Sequence, residues 1–170
     1  MKRFLLLSCL LAAVSCAPAF HNVSFSNPAQ GGLFTGSEIL LLTPADGASG
    51  TKVTPGSGAV VANRVLYQLK TRPCKVTLES NANSIKEIDD AVLAKYKFVI
   101  APTISNWEDN ATAWSGKPCR LRLTFDIFDS NRNLITSANI DAQGTSVTMS
   151  ATDPSDLIDK PLKEILDELF

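Results

Sequence analysis

The sequence predicts an α/β fold: a three-layer sandwich on a mixed sheet, with elements in β-α-β-α-β-β-β-α order. Three observations predict it. Two continuous apolar runs of strand length, Ile39–Thr43 and Phe98–Ala101, suit strands covered on both faces. Between them apolar residues recur at helical spacing, and strands alternating with helices imply right-handed parallel crossovers. From Arg120 to Ile127 polar and apolar residues alternate strictly, the mark of a half-buried antiparallel strand.

Residues 1–15 read as a signal peptide. Lys2 and Arg3 precede the apolar stretch Phe4–Val14, far shorter than the ~20 residues that span a bilayer. The stretch ends at Ala13-Val14-Ser15-Cys16, a small residue before a cysteine. This resembles the bacterial lipobox, with Ala13 where that pattern favours Leu. The resemblance implies cleavage before Cys16 and a multiply acylated, palmitate-bearing cysteine. Each buried CH₂ of such chains contributes about 0.8 kcal/mol, so several together hold a protein firmly to the membrane. Ala17 rather than Asp after the cysteine implies, by the same analogy, the outer membrane with the domain facing the periplasm. The competing route is ordinary cleavage after Ala17-Pro18-Ala19, which would discard Cys16.

Residues 16–36 read as the lipidated N-terminus and a flexible tether. Ala17–Gly36 carries Pro18, Pro28, Gly31, Gly32 and Gly36, and twenty such residues have an r.m.s. span of roughly 25 Å. Phe20, Phe25, Leu33 and Phe34 are more apolar than a spacer requires: Leu33 and Phe34 are expected to pack on the first strand, the alternative being a tether that docks a partner or the membrane surface. His21 is expected to be an exposed residue with no ligand role.

Residues 37–170 form one α/β domain. Its first strand ends at the turn Pro44-Ala45-Asp46-Gly47, and the glycine-rich loop Gly47–Gly58 leads to Ser57 as a candidate N-cap. Val61, Val65, Leu66 and Leu69 then mark a helix to Lys70. Pro73 stops it before a short edge strand, Cys74–Leu78. Ser84-Ile85-Lys86-Glu87 has the capping-box pattern and opens a helix with Ile85, Ile88, Val92 and Tyr96 inward. The segment Trp107–Pro118 reads as a loop. A hairpin follows, with Leu121, Leu123, Phe125 and Ile127 on one face, a turn at Asp129–Asn133 and a return strand over Leu134–Ile140. Asp153-Pro154 caps a last helix with Leu157, Leu162, Ile165, Leu166 and Leu169 inward, kinked or split at Pro161.

Composition narrows function. Among 170 residues, 16 are Lys or Arg and 17 are Asp or Glu, so no basic surface argues for nucleic acid. His21 is the single histidine, which excludes a multi-histidine metal site and leaves the domain without an imidazole base. No cofactor, metal or catalytic set is expected. The Gly47–Gly58 loop lies where phosphate-binding loops lie but has neither G-x-x-x-x-G-K-[ST] nor a clean G-x-G-x-x-G. Its helix N-terminus could still hold an anion. Glu108 and Asp109, neighbours in an extended segment, point apart and read as loop caps or partners for Arg120 or Arg122. Trp107, Glu108 and Trp114 form a candidate interaction patch, with the tryptophans either core lids or a contact surface. Trp107 is expected to cap the core, and Trp114, before Ser115-Gly116, to lie at the surface. Cys74 and Cys119 are a candidate disulfide in an oxidising compartment. The expected topology places them at opposite ends of the sheet, beyond the ~7 Å Cα separation that bridging allows.

The segment Trp107-Glu108-Asp109-Asn110-Ala111-Thr112-Ala113-Trp114-Ser115-Gly116-Lys117-Pro118 resembles the W-E-D-x-A-T-x-W-S-G-x-P signature of a family of short proteobacterial lipoproteins. That family is catalogued as domain of unknown function 4823. Thr43–Gly47 with Gly56-Ser57-Gly58, and Asp153–Leu157, are similar to its first strand and its last helix start. The element order also resembles N-terminal TolB-like domains and curli-secretion-lipoprotein-like envelope domains, a likeness of fold alone. The resemblance implies an anchored envelope protein and carries no activity. The leading expectation is therefore a non-enzymatic outer-membrane lipoprotein, an accessory or interaction module. Its partners would be the membrane through Cys16 and an envelope protein or peptidoglycan. The alternative is a periplasmic protein binding a nucleotide or sugar through Gly47–Gly58.

Overall fold

The computed structural model describes residues 19–27, 31–110, 117–145 and 153–170. In chain order the elements are β1 (Phe20–Phe25), β2 (Glu38–Leu42), β3 (Ala48–Ser49), β4 (Lys52–Val53), α1 (Ser57–Lys70), β5 (Lys75–Glu79), α2 (Asp90–Leu93), β6 (Phe98–Glu108), β7 (Arg120–Asp129), β8 (Leu134–Gln143) and α3 (Asp159–Leu169). Single 3₁₀ turns at Ile85–Glu87 and Pro154–Leu157 lead into α2 and α3. The fold is α/β on a mixed six-stranded sheet of order β1-β8-β7-β6-β2-β5. β2 lies parallel to both β5 and β6, while β6, β7, β8 and β1 run antiparallel in turn.

The apolar run of β2 is buried on both faces. Ile39 and Leu41 join a core with Val61, Val65 and Leu69 of α1 and Leu162, Ile165, Leu166 and Leu169 of α3. Leu40 and Leu42 face the other way, onto Ile85, Ile88 and Leu93. Beyond this second cluster, the same face of β7 and β8 carries polar cross-strand pairs: Arg122 with Asp141, Thr124 with Asn139, and Ser137 with Asp126. Pro102 sits in β6 just past Ile100, the last residue paired with β2. There the strand has a ladder partner on one side only, which makes a missing N–H tolerable.

The reading of a flexible tether over 16–36 is corrected for its described residues, 19–27 and 31–36. Phe20–Phe25 adds an edge strand to β8, with Val23 and Phe25 packed on the core and His21 Nε2 at 2.9 Å from Glu164 Oε1 of α3. Alternation was present in His21, Val23 and Phe25 against Asn22 and Ser24. Phe20, on the polar side of the strand, obscured it. Phe34 is also fixed: its N–H donates to the Leu169 carbonyl at 3.1 Å, and its ring lies 5.4 Å from Phe98 and 5.7 Å from Phe170.

Two further expectations change. The helix opened by Ser84 breaks after one 3₁₀ turn: Ile88 and Asp89 are extended, and the Ile88 carbonyl accepts from Arg132 Nη2 at 2.6 Å. Ser84 Oγ accepts from Lys86 N–H, but Glu87 reaches Asn83 N–H instead of closing the box on Ser84. The last helix is split as expected. Asp153 and Asp156 form a capping box around the 3₁₀ turn, and α3 begins afresh with Pro161 in its first turn. Among the described residues no helix is long and apolar enough to cross a membrane.

Candidate functional site

At the start of α1 the glycine-rich loop closes on itself. The Asp46 carboxylate accepts from Gly56 N–H at 3.0 Å and from Gly58 N–H at 2.8 Å. These two donors, Gly58 foremost, hold Asp46 below the usual carboxylate range. The expected N-cap, Ser57, makes no cap bond: its hydroxyl donates to the Thr54 carbonyl at 2.7 Å and accepts from Gly47 N–H at 2.8 Å. Gly56, at φ 85°, takes the cap position instead. The amides that would cradle a phosphate are thus bound by the chain's own carboxylate. Two glycines permit this closure. A Cβ on Gly58 would stand 2.2 Å from the Pro44 carbonyl oxygen, and one on Gly47 would stand 2.5 Å from Ile104 Cγ2 and 2.8 Å from Trp107 Cβ.

That last contact explains Trp107, which is 4% exposed in the core beneath Gly47. Its place in a contact patch is corrected. β6 runs on through Trp107 and Glu108, so the expected loop starts later than the sequence suggested. Glu108 Oε1 accepts from Asn110 Nδ2 at 3.0 Å, and the same amide donates to the Pro118 carbonyl at 2.8 Å, closing the neck of residues 109–118. Glu108 stands opposite Arg120 in the ladder, while Arg120 Nε donates to Gln143 Oε1 at 3.1 Å. Trp114 lies outside the described residues, as does Cys16.

Cys74 precedes the edge strand β5, and Cys119 precedes β7 three strands away, roughly 14 Å across the sheet. They do not reach one another. Burial pushes both thiols up. Carboxylates of Asp109, Asp153 and Glu108 add to this at Cys119, which makes it a poor nucleophile. Among the described residues no cluster of three or more His, Cys, Asp or Glu side chains is placed to hold a metal ion.

The concave feature that sequence reasoning missed lies between α1 and α3, a groove of about 790 Å³ lined by residues including Arg64, Tyr67, Gln68, Arg72, Lys160 and Lys163. Arg64 Nη1 meets Asp159 Oδ2 at 2.5 Å, Gln68 Nε2 donates to the Asp159 carbonyl at 2.9 Å, and Arg72 Nη2 meets Asp167 Oδ1 at 2.6 Å. These bonds run 64 to 159 and 72 to 167, so the helices lie side by side in the same direction. Lys163 and Arg72 together hold the Asp167 carboxyl below its usual range. Tyr67, 73% exposed, stands over the groove. Lys160 has no ion-pair partner among the described residues. The sequence signal is the spacing Arg64, Tyr67, Gln68, Thr71, which lines one flank of α1 beside the apolar stripe Val61, Val65, Leu69.

A family described as "Domain of unknown function (DUF4823)" matches residues 32–169. No curated protein matches the chain. Among solved structures, the chain is similar to the PelC dodecamer from Paraburkholderia phytofirmans at 16% identity and TM-score 0.67, over 88% of this chain and 97% of that one. A Xanthomonas campestris protein of family DUF330 is 13% identical with TM-score 0.48, over 83% of this chain and 87% of its own. A neuraminyllactose-binding hemagglutinin homologue from Helicobacter pylori is 13% identical with TM-score 0.42, over 84% of each chain. At these identities the PelC likeness is one of fold.

Proposed function

Starting from a chain that belongs to the family described as domain of unknown function DUF4823, we propose that it is a non-enzymatic lipoprotein of the outer membrane, anchored through Cys16, whose periplasmic domain works by binding an envelope partner. The anchor rests on the apolar stretch Phe4–Val14 and the lipobox-like Ala13–Cys16. The finer architecture belongs to the same reading: a three-layer sandwich over β2 and β6, two-layered over the rest, and akin to TolB-type and curli-secretion domains in element order. The observation that carries the binding role is the α1–α3 groove. Arg and Tyr are the residue types that supply most energy at protein interfaces, and an exposed ring beside guanidinium and ammonium groups is more than a solvated helix face needs. The Gly47–Gly58 loop is a weaker ligand site, since Asp46 already holds its amides.

Photocrosslinking tests this reading. A benzophenone side chain in place of Tyr67 should give one discrete adduct in intact envelopes, and the same group at Leu134 should not. The adduct should disappear when Arg64 and Lys160 are both changed to Glu. An adduct of twice the chain's mass would identify the partner as a second copy, as in the PelC dodecamer. Equal, diffuse labelling at both positions would remove the groove from the account.

A further inference from the structure

If Cys16 carries the lipid, only residues 17–19 separate it from the first residue of β1. Four Cα steps span at most about 14 Å even when fully extended. The anchored cysteine therefore cannot lie far from Phe20, and Phe20 marks one particular end of the sheet. In the ladder Phe20 pairs with Gln143, Gln143 with Arg120, and Arg120 with Glu108. One cross-strand row thus joins the start of β1, the end of β8, the start of β7 and the end of β6. The β3–β4 hairpin belongs to this same end, because Gly47 abuts Trp107, one residue before Glu108.

From this placement, and resting on the anchoring reading above, we infer that the domain docks on the bilayer through this end of the sheet, with Phe20 and the β3–β4 hairpin against the lipid surface. Two of the exposed large apolar residues lie there: Phe20 at 48% exposure and Val53 of β4 at 54%. Apolar side chains of this kind insert into the boundary between headgroups and acyl chains. Lys52, Lys117 and Arg120 at this end are offset by Asp46, Glu108, Asp109 and Asp153, so no cationic surface sets the orientation; chain length and the two apolar residues do. The β7–β8 turn then points away from the membrane. Leu134 lies nine residues along β8 from Gln143, a rise of about 30 Å. The α1–α3 groove begins at Arg64, seven residues into α1 and so about 10 Å along the helix from this end.

The test uses the acylated full chain in phosphatidylcholine vesicles carrying a headgroup nitroxide, with tryptophan introduced one site at a time as Phe20→Trp, Val53→Trp and Leu134→Trp. All three positions are exposed, so folding should survive each change. Intact mass is read first. With acylation established, the expected result is that the added emission at positions 20 and 53 falls about twofold or more, while the addition at 134 stays unquenched, because the quencher acts over a range shorter than the ~30 Å between the two ends. Equal quenching at 20, 53 and 134, or none at 20 and 53, on an acylated chain overturns the orientation and leaves the anchor standing. A chain without acyl mass overturns the anchor and the orientation with it.

Discussion

Asp46 does at the start of α1 what a bound anion does at other helix N-termini: it satisfies N–H groups that have no helical partner. Asp46→Ala should lower stability by about 1 kcal/mol, read as a fall in the urea midpoint at unchanged slope. The pH dependence has a definite sign. Asp46 is held below its ordinary value of 3.8, so its contribution is complete above that value and is lost as pH falls through the lower, folded one. Asp129, which accepts from Asn131 and Asn133, and Asp167 act in the same direction. The mutant's deficit relative to the parent should therefore shrink in acid, and a deficit that grew below pH 3.8 would contradict this. Trp107→Ala removes a core side chain and should cost about 3–5 kcal/mol. Gly47→Ala forces a methyl group against Ile104 and Trp107 and should cost about 1–3 kcal/mol. Urea midpoints at the parent level for either variant would count against the packing described. The core position of Trp107 was legible because Ile104 sets the pattern locally. The Asp46 cap was not, because its amides lie ten and twelve residues on and are reached only through the left-handed Gly56.

At the scale of elements, β1 changes the account most. Its hydrogen bonds cover the free edge of β8, and Val23 and Phe25 close the core beside α3. A chain beginning at Gly31 should unfold at lower urea and should self-associate, since β8 would become an open edge. Size-exclusion chromatography and the urea midpoint check both, and an unchanged monomer would show that β1 is dispensable. β2, β7, β8 and α3 were legible because each announces itself within its own residues, through a buried run, strict alternation or a helical stripe. β1 was hidden by the prolines and glycines around it, and its register is set by β8, more than a hundred residues away. The second helix misled for a similar reason: the group that bonds the Ile88 carbonyl where the helix breaks, Arg132, lies 44 residues downstream.

At the scale of the whole molecule, the α/β class and the mixed sheet followed from the order of patterns along the chain. The sheet's β1 edge and the α1–α3 groove did not, because both arise where distant segments meet. The functional account joins two claims, an anchor at Cys16 and a partner-binding domain held close above it. The second depends on the first, since the three residues before β1 matter only if lipid is attached. Cleavage before Cys16 would also remove Lys2 and Arg3, moving the formal charge from −1 to −3 before the new terminus is counted. The most direct test is therefore the intact mass of the chain extracted from membranes. The account predicts the mass of residues 16–170 with acyl chains added to Cys16. An unacylated chain beginning at Phe20, cut after Ala19 and recovered without detergent, would contradict it.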